Sequence, residues 1–210
     1  MKLIIGNKTY SSWSLRPWLL MSYFDLPFEE VLVRLDQPGT QSEILQYSPS
    51  GKVPALIDGD IKIWDSLAIM EYLFEKYPER KMYPSDPAMR ALARSVSAEM
   101  HSGFPGLRQH LSFHAKRKYD YFDVAPALTD IRRIRTIWSE CLTRSGGPFL
   151  FGEFSIADAM FAPVVCRFNT YGVANSGVLK DYCDSILNLP SLQKWYRDAN
   201  AEDFIATEHE

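Results

Sequence analysis

Three short stretches of the chain hold residues whose types and spacing could do chemistry. The first, Tyr10-Ser11-Ser12-Trp13-Ser14-Leu15-Arg16-Pro17, sets three hydroxyls at the head of an apolar run. At the start of a helix such serines meet free backbone N–H groups and a partial positive charge. Capping explains one of them, Ser12 or Ser14, but not all three. The second stretch, Ser50-Gly51-Lys52-Val53-Pro54-Ala55-Leu56, puts a proline at the start of a strand, where a missing donor is tolerated. Most X-Pro bonds are trans; a cis Val53-Pro54 bond would be the exception, and it would offer the Val53 N–H and C=O to a ligand. Lys52 by itself reads as a solvated charge. The third stretch, Trp64-Asp65-Ser66, opens a helix. Asp65 or Ser66 alone is an ordinary cap. Together they also offer N–H groups and a hydroxyl to a carboxylate, with Asp65 placed to face an ammonium group.

The elements that must position these stretches follow from periodicity. Leu3-Ile4-Ile5 reads as a short strand and Phe28 to Leu35 as a second. Residues 14–24 read as a helix, and Pro17, which suits only a first turn, predicts its start near 13–15. Residues 53–57 and 61–64 flank Asp58-Gly59-Asp60, an Asp-Gly hairpin signal. Leu67, Met70 and Leu73 mark a helix after Ser66, whereas residues 40–50 carry no clear pattern. Strands alternating with helices predict α/β packing with an antiparallel edge. Residues 78–87, rich in proline and charge, read as a linker. From residue 88 onward only helical patterns appear. Residues 88–118 read as one long helix, and 127–144 as another that ends at Gly146-Gly147-Pro148. Ser155-Ile156-Ala157-Asp158 has capping-box spacing, and Pro190 begins a last helix. The expected organisation is an α/β domain over 1–77, a linker over 78–87 and an all-α domain over 88–210.

Composition excludes several classes. Twenty-three Lys+Arg against 26 Asp+Glu give a net charge of −3, so there is no basic excess to hold nucleic acid. No apolar run approaches the roughly 18 residues of a membrane span. The N-terminal apolar stretch is shorter than the about 7–15 residues of a signal peptide, so a cytoplasmic protein is expected. Cys141, Cys166 and Cys183 form no close pair and read as small buried hydrophobes rather than as a disulfide or zinc framework. His110 and His114 have ligand-pair spacing but lack the accompanying glutamate, so no metal is expected. Gly146-Gly147-Pro148-Phe149 lacks the Lys-Ser/Thr of a phosphate loop.

Taken together, the three stretches supply donors for a thiolate, backbone for an extended peptide, and an anion site beside a carboxylate. Glutathione carries all the complementary groups. The chain resembles the cytosolic glutathione transferase family, serine-type and nearest to zeta-like bacterial members. Ser11-Ser12-Trp13-Ser14-Leu15-Arg16 is similar to the zeta-class Ser-Ser-Cys-x-x-Arg segment. Lys52-Val53-Pro54-Ala55-Leu56 is similar to the family's Val-Pro element with its cis-proline, and Asp65-Ser66-Leu67-Ala68-Ile69-Met70-Glu71-Tyr72-Leu73 to its Glu/Gln-Ser-x-Ala-Ile-x-x-Tyr-Leu element. Ser155 to Asp158 matches the capping box of its helical domain.

The resemblance implies a thioredoxin-like α/β N-terminal domain, an all-α C-terminal domain and a homodimer. It implies a transferase that activates the glutathione thiolate for attack on a small hydrophobic electrophile, as in detoxification, with glutathione as co-substrate. Ser11 matches the thiolate-stabilising serine, with Ser12 second. Val53 and Pro54 would pair with the cysteinyl backbone, Lys52 with the peptide or its glycine carboxylate, and Asp65 and Ser66 with the γ-glutamyl end. The second-substrate pocket is expected from Trp13, His101, Phe104, Arg108 and Phe168. His101 and Arg108 would share one helix face if the helix ran through Gly103 and Pro105. Trp13 stands where the zeta class has cysteine, which argues against thiol-exchange chemistry at this site and against maleylacetoacetate isomerisation. The competing readings are a glutathione-dependent isomerase or peroxidase, and a non-catalytic binding module of the same fold.

Overall fold

The computed structural model describes residues 1–203. Leu3, Ile4 and Ile5 are fully buried, as suits strand β1 (Lys2–Gly6) at the interior of the sheet. Period-two alternation sends Leu3 and Ile5 to one face and Ile4 to the other. Beside β1 lie β2 (Glu29–Val33), which runs parallel to it, and β3 (Ala55–Asp58), which runs antiparallel. The edge strand β4 (Ile61–Trp64) returns from β3 through Gly59 at φ 59°, the expected hairpin, and the sheet order is β2-β1-β3-β4.

Helices α1 (Ser12–Tyr23) and α3 (Ser66–Lys76) cover the Leu3/Ile5 face. The segment without a clear pattern folds as α2 (Thr40–Tyr47), whose single buried residue, Ile44, packs with Ile4, Val33 and Ala55 on the other face. One apolar contact explains why periodicity did not reveal it. Residues 78–87 hold a short 3-10 turn over Pro78–Arg80. Met82 and Tyr83 beyond it are buried in the core, and the Ile156 N–H donates to the Met82 carbonyl.

The main elements of the remainder are helices: α4 (Pro87–Ser102), α5 (Pro105–His110), α6 (Leu128–Ser145), α7 (Ile156–Thr170), α8 (Gly177–Leu187) and α9 (Pro190–Ala201). This is a thioredoxin-like domain followed by a helical domain, and α7, buried along its length, runs through the middle of the second. The capping box at Ser155 and Asp158 is formed. Residues 204–210 of the expected helical domain lie outside the described residues. No helix among the described residues is long and apolar enough to cross a membrane.

Two helical expectations are corrected. The helix expected over 88–118 stops at Ser102. Pro105 disfavours helical backbone at the residue before it, and Phe104 sits at φ 63°. The break is stable because Arg108 turns back and donates to the carbonyls of Met100, Gly103 and His101 at 2.5, 3.0 and 3.4 Å, which would otherwise be orphaned at the helix end. The helix expected to start near 13–15 starts at Ser12, so Pro17 lies inside it rather than in its first turn. At that position one i→i−4 bond is missing from the ladder.

Candidate functional site

The serine segment leaves β1 and enters α1. Ser11 is the N-cap: its Oγ accepts the Ser14 N–H at 3.3 Å. The Ser11 hydroxyl also donates to Ser14 Oγ at 2.7 Å, and Ser14 Oγ accepts the Gly6 N–H at 3.1 Å. Ser12 Oγ accepts from Arg167 Nη2 at 3.3 Å. All three serines are buried. The loop ahead of them is tied to the far end of the chain. Glu202 accepts the N–H groups of Lys8 and Thr9 at 2.7 and 3.1 Å and the Thr9 hydroxyl at 2.7 Å.

In front of Trp13 lies a cleft of about 300 Å³, at the small end of ligand sites. Trp13, Ser50, Lys52, Val53, Pro54, Trp64, Asp65, Ser66 and His101 line it. The Val53-Pro54 bond is cis. Asp65 caps α3, with Oδ1 accepting the Leu67 and Ala68 N–H groups at 2.8 and 3.2 Å. Its φ of 78° is unusual for a residue with a side chain and stores strain of the kind found at functional sites. Asp65 Oδ2 lies 3.0 Å from His101 Nε2. Burial first, then Arg16 and Arg108, pull the His101 pKa below the ordinary histidine value against the pull of Asp65. His101 is therefore neutral at neutral pH; with its hydrogen assigned to Nε2 it donates to Asp65, which leaves Nδ1 buried without a partner.

Three guanidiniums surround this wall. Arg16, fully buried, donates from Nη1 to Ser66 Oγ at 3.3 Å and leaves Nε without an acceptor. Its Cζ lies 4.3 Å from the Trp13 ring centroid, and that of Arg108 lies 4.7 Å from it. The His101 ring meets Trp13 edge-on at 5.4 Å. Arg167, also buried, donates to the carbonyls of Leu111 and Pro163 and to Ser12. Burial, helped by Arg108, pushes the Arg167 pKa down to about 10, and burial likewise lowers Arg16 and Arg108. All three remain charged at neutral pH. Among the described residues their hydrogen-bond acceptors are hydroxyls and carbonyls, none of them carboxylates. An anion brought to this wall therefore meets positive charge in a low-dielectric setting.

The structure brings together Lys52, Val53, Pro54, Asp65, Ser66, Trp13 and His101 as one lining, with Arg108 against Trp13. Ser11 and Ser12 are buried at the start of α1, next in sequence to Trp13, and do not themselves line the cleft. Phe104 and Phe168 depart from the expected second-substrate pocket. Phe104 is buried in the core at the α4–α5 break, and Phe168 packs on Trp138 with centroids 5.4 Å apart. Both side chains are buried and serve packing. His101 and Arg108 share no helix face, yet both reach Trp13 because Arg108 folds back over the break. Sequence reasoning missed Ser50, Trp64 and the roles of Arg16 and Arg167. Arg167 left one signal, a lone charge within the apolar run AMFAPVVCRF. The three cysteines are buried, and burial raises their thiol pKa values. No group of three or more metal-ligating side chains occurs among the described residues.

Comparison with known proteins places the chain in a family and matches its fold. The family profile "Glutathione S-transferase, N-terminal domain" matches residues 10–76. Glutathione S-transferase Z2 of Arabidopsis thaliana is 30% identical over 199 residues, covering 89% of this chain and 88% of the relative. A probable maleylacetoacetate isomerase of Caenorhabditis elegans is 35% identical over 82% of this chain and 81% of its own. A solved glutathione transferase homolog from Burkholderia GL BGR1, with bound glutathione, superposes with a TM-score of 0.74 at 24% identity, covering 96% of this chain and 98% of its own.

Proposed function

The chain belongs to the cytosolic glutathione transferase family, on its zeta-like side, and on that premise we propose that the cleft in front of Trp13 holds glutathione as a thiolate for attack on a small electrophile. The observation that carries this reading is the convergence of three donor sets on one cavity. The Val53 backbone beside its cis-proline meets the peptide. The start of α3, with Asp65 and Ser66, meets the γ-glutamyl end, and Lys52 meets the glycine carboxylate. The start of α1, backed by buried cations, meets the sulfur.

The magnitudes suffice. A free thiol of pKa near 8.5 is only a few per cent ionised at neutral pH. Lowering it by about two units requires ~2.7 kcal/mol of differential stabilisation. One hydrogen bond to a charged group supplies ~1.5–3 kcal/mol, and a helix N-terminus adds ~0.3–1 kcal/mol. A serine hydroxyl of the 11–12 pair then serves as donor, not nucleophile. The thiol proton goes to solvent, and the electron pair stays on sulfur. The sulfur forms a bond to the electrophilic carbon of the second substrate, and a leaving group, where there is one, departs with its own pair.

Trp13, His101 and Arg108 form the wall that meets the electrophile. We place the enzyme in the cytoplasm as a homodimer acting in detoxification, without nucleic acid or membrane partners. Glutathione-dependent isomerisation is the second reading, and the similarity to a probable maleylacetoacetate isomerase favours it. Titration calorimetry with glutathione, followed by a panel of aryl halides, maleyl compounds and hydroperoxides, tests the reading. Tight binding with turnover of aryl halides is expected. Preference for maleyl compounds selects the isomerase, and absence of glutathione binding rejects both.

A further inference from the structure

We propose that the hydroxyl facing the glutathione sulfur is that of Ser12, and that Arg167, carried on α7 of the helical domain, is the positioning residue that aims it. The inference rests on the cleft being a glutathione site. A serine hydroxyl has one hydrogen and two lone pairs. Ser11 gives its hydrogen to Ser14 Oγ at 2.7 Å in a buried network that also holds Gly6. Turning that hydrogen to a sulfur would break the network at the helix cap. Ser12 is the opposite case. Its Oγ receives a hydrogen from Arg167 Nη2 at 3.3 Å, and its own hydrogen goes to no acceptor among the described residues. An accepted bond from a cation polarises the Ser12 O–H and makes it a stronger donor.

Arg167 is built for one orientation. Nε is held by the Leu111 carbonyl at 2.7 Å and Nη1 by that of Pro163 at 3.4 Å. Its acceptors are neutral and it is buried, so the cation is costly until an anion forms nearby. The thiolate is such an anion, one hydroxyl away. The lowered Arg167 pKa states the same preference in protonation terms. The arrangement occurs twice: Arg16 donates to Ser66 Oγ in the same way, and the Ser66 hydrogen goes to no acceptor among the described residues. Arg167 comes from 155 residues beyond Ser12, so the helical domain takes part in activating the sulfur.

The test is the thiol pKa of bound glutathione, read from thiolate ultraviolet absorbance, with affinity from calorimetry, in wild type, Ser12→Ala, Ser11→Ala, Arg167→Gln and Arg167→Lys. Ser12→Ala and Arg167→Gln are each expected to raise that pKa by about one unit while affinity stays near wild type. The loss of kcat at neutral pH should disappear at pH well above the thiol pKa, a profile that damage to packing would not give. The double variant should shift no further than Ser12→Ala, since the two residues act through one hydroxyl. Arg167→Lys should recover part of the shift. A Ser12→Ala enzyme whose bound thiol titrates as in wild type overturns the proposal. So does a larger shift in Ser11→Ala than in Ser12→Ala, or a full shift in Ser12→Ala with none in Arg167→Gln. If Arg167→Gln does not fold, Ser12→Ala and Arg167→Lys still decide the matter. Failure of the wild type to bind glutathione shows in calorimetry before any variant is compared, and removes the underlying reading and the proposal with it.

Discussion

Asp65 shows how much one side chain can be asked to do. One carboxylate oxygen caps α3 and the other meets His101, at a backbone angle that most residues avoid. Capping and ligand binding can be separated by Asp65→Asn, which keeps an acceptor for Leu67 and Ala68 but removes the charge. Thermal unfolding should change by less than about 1 kcal/mol, since Asn and Asp cap equally well. Glutathione affinity should fall roughly tenfold or more, the cost of losing a charge-assisted bond; unchanged affinity by calorimetry would remove Asp65 from the γ-glutamyl site. Lys52, Val53, Pro54, Asp65 and Ser66 were legible in the sequence because each belongs to a short stretch whose neighbours in the chain are also its neighbours in the cleft. Arg167 was not, because its meaning depends on Ser12, far away in the chain. Ser11 shows the converse: the capping explanation was weighed for Ser12 and Ser14, and it is Ser11 that caps.

At the scale of elements, the α4–α5 break matters most for the cleft. The spacing of apolar residues runs on through Gly103 and Pro105, so periodicity alone reads one helix. The break is set by Pro105 and by Arg108, whose side chain closes α4. Arg108→Ala should destabilise the protein by about 1–3 kcal/mol through carbonyls left unpaired, measured by urea unfolding. It should also shift tryptophan fluorescence, as Trp13 loses a cation from its ring. The capping box of α7, by contrast, was plain in the sequence because its two residues lie three apart. Its carboxylate is fully buried, and that burial raises the Asp158 pKa from 3.8 to about 6. The folded state therefore holds the Asp158 proton at pH values where the unfolded chain has released it. This contribution is fully present below pH about 4 and is lost as pH rises through about 6, an effect of about 3 kcal/mol. Asp158→Asn removes the titration. The stability of wild type relative to this variant should fall between pH 4 and 7 in urea unfolding, and a flat difference would contradict the burial argument.

The whole molecule is held by one continuous core that runs from β1 through α1 to α7 and α9. The division into an α/β half and a helical half was readable from the change in periodicity, because strands and helices bury residues at different intervals. The polar part of the clasp between the halves was not, since it is made by isolated residues. Lys8 pairs with Glu30 and Asp198, and Trp195 donates its indole N–H to the Lys8 carbonyl at 3.0 Å. Glu202→Ala should speed amide hydrogen exchange at Lys8 and Thr9, lower stability by about 1–3 kcal/mol and reduce turnover more than glutathione affinity. Unchanged exchange at these amides would show that the clasp does not hold the loop. Glu202 is also separated from Lys8 by 194 positions. On the ribosome, the segment carrying Ser11 and Ser12 emerges well before the carboxylate that holds the loop ahead of it. A nascent chain can assemble its sheet, but the bonds from Lys8 and Thr9 to Glu202 wait until the segment that follows α9 has been made.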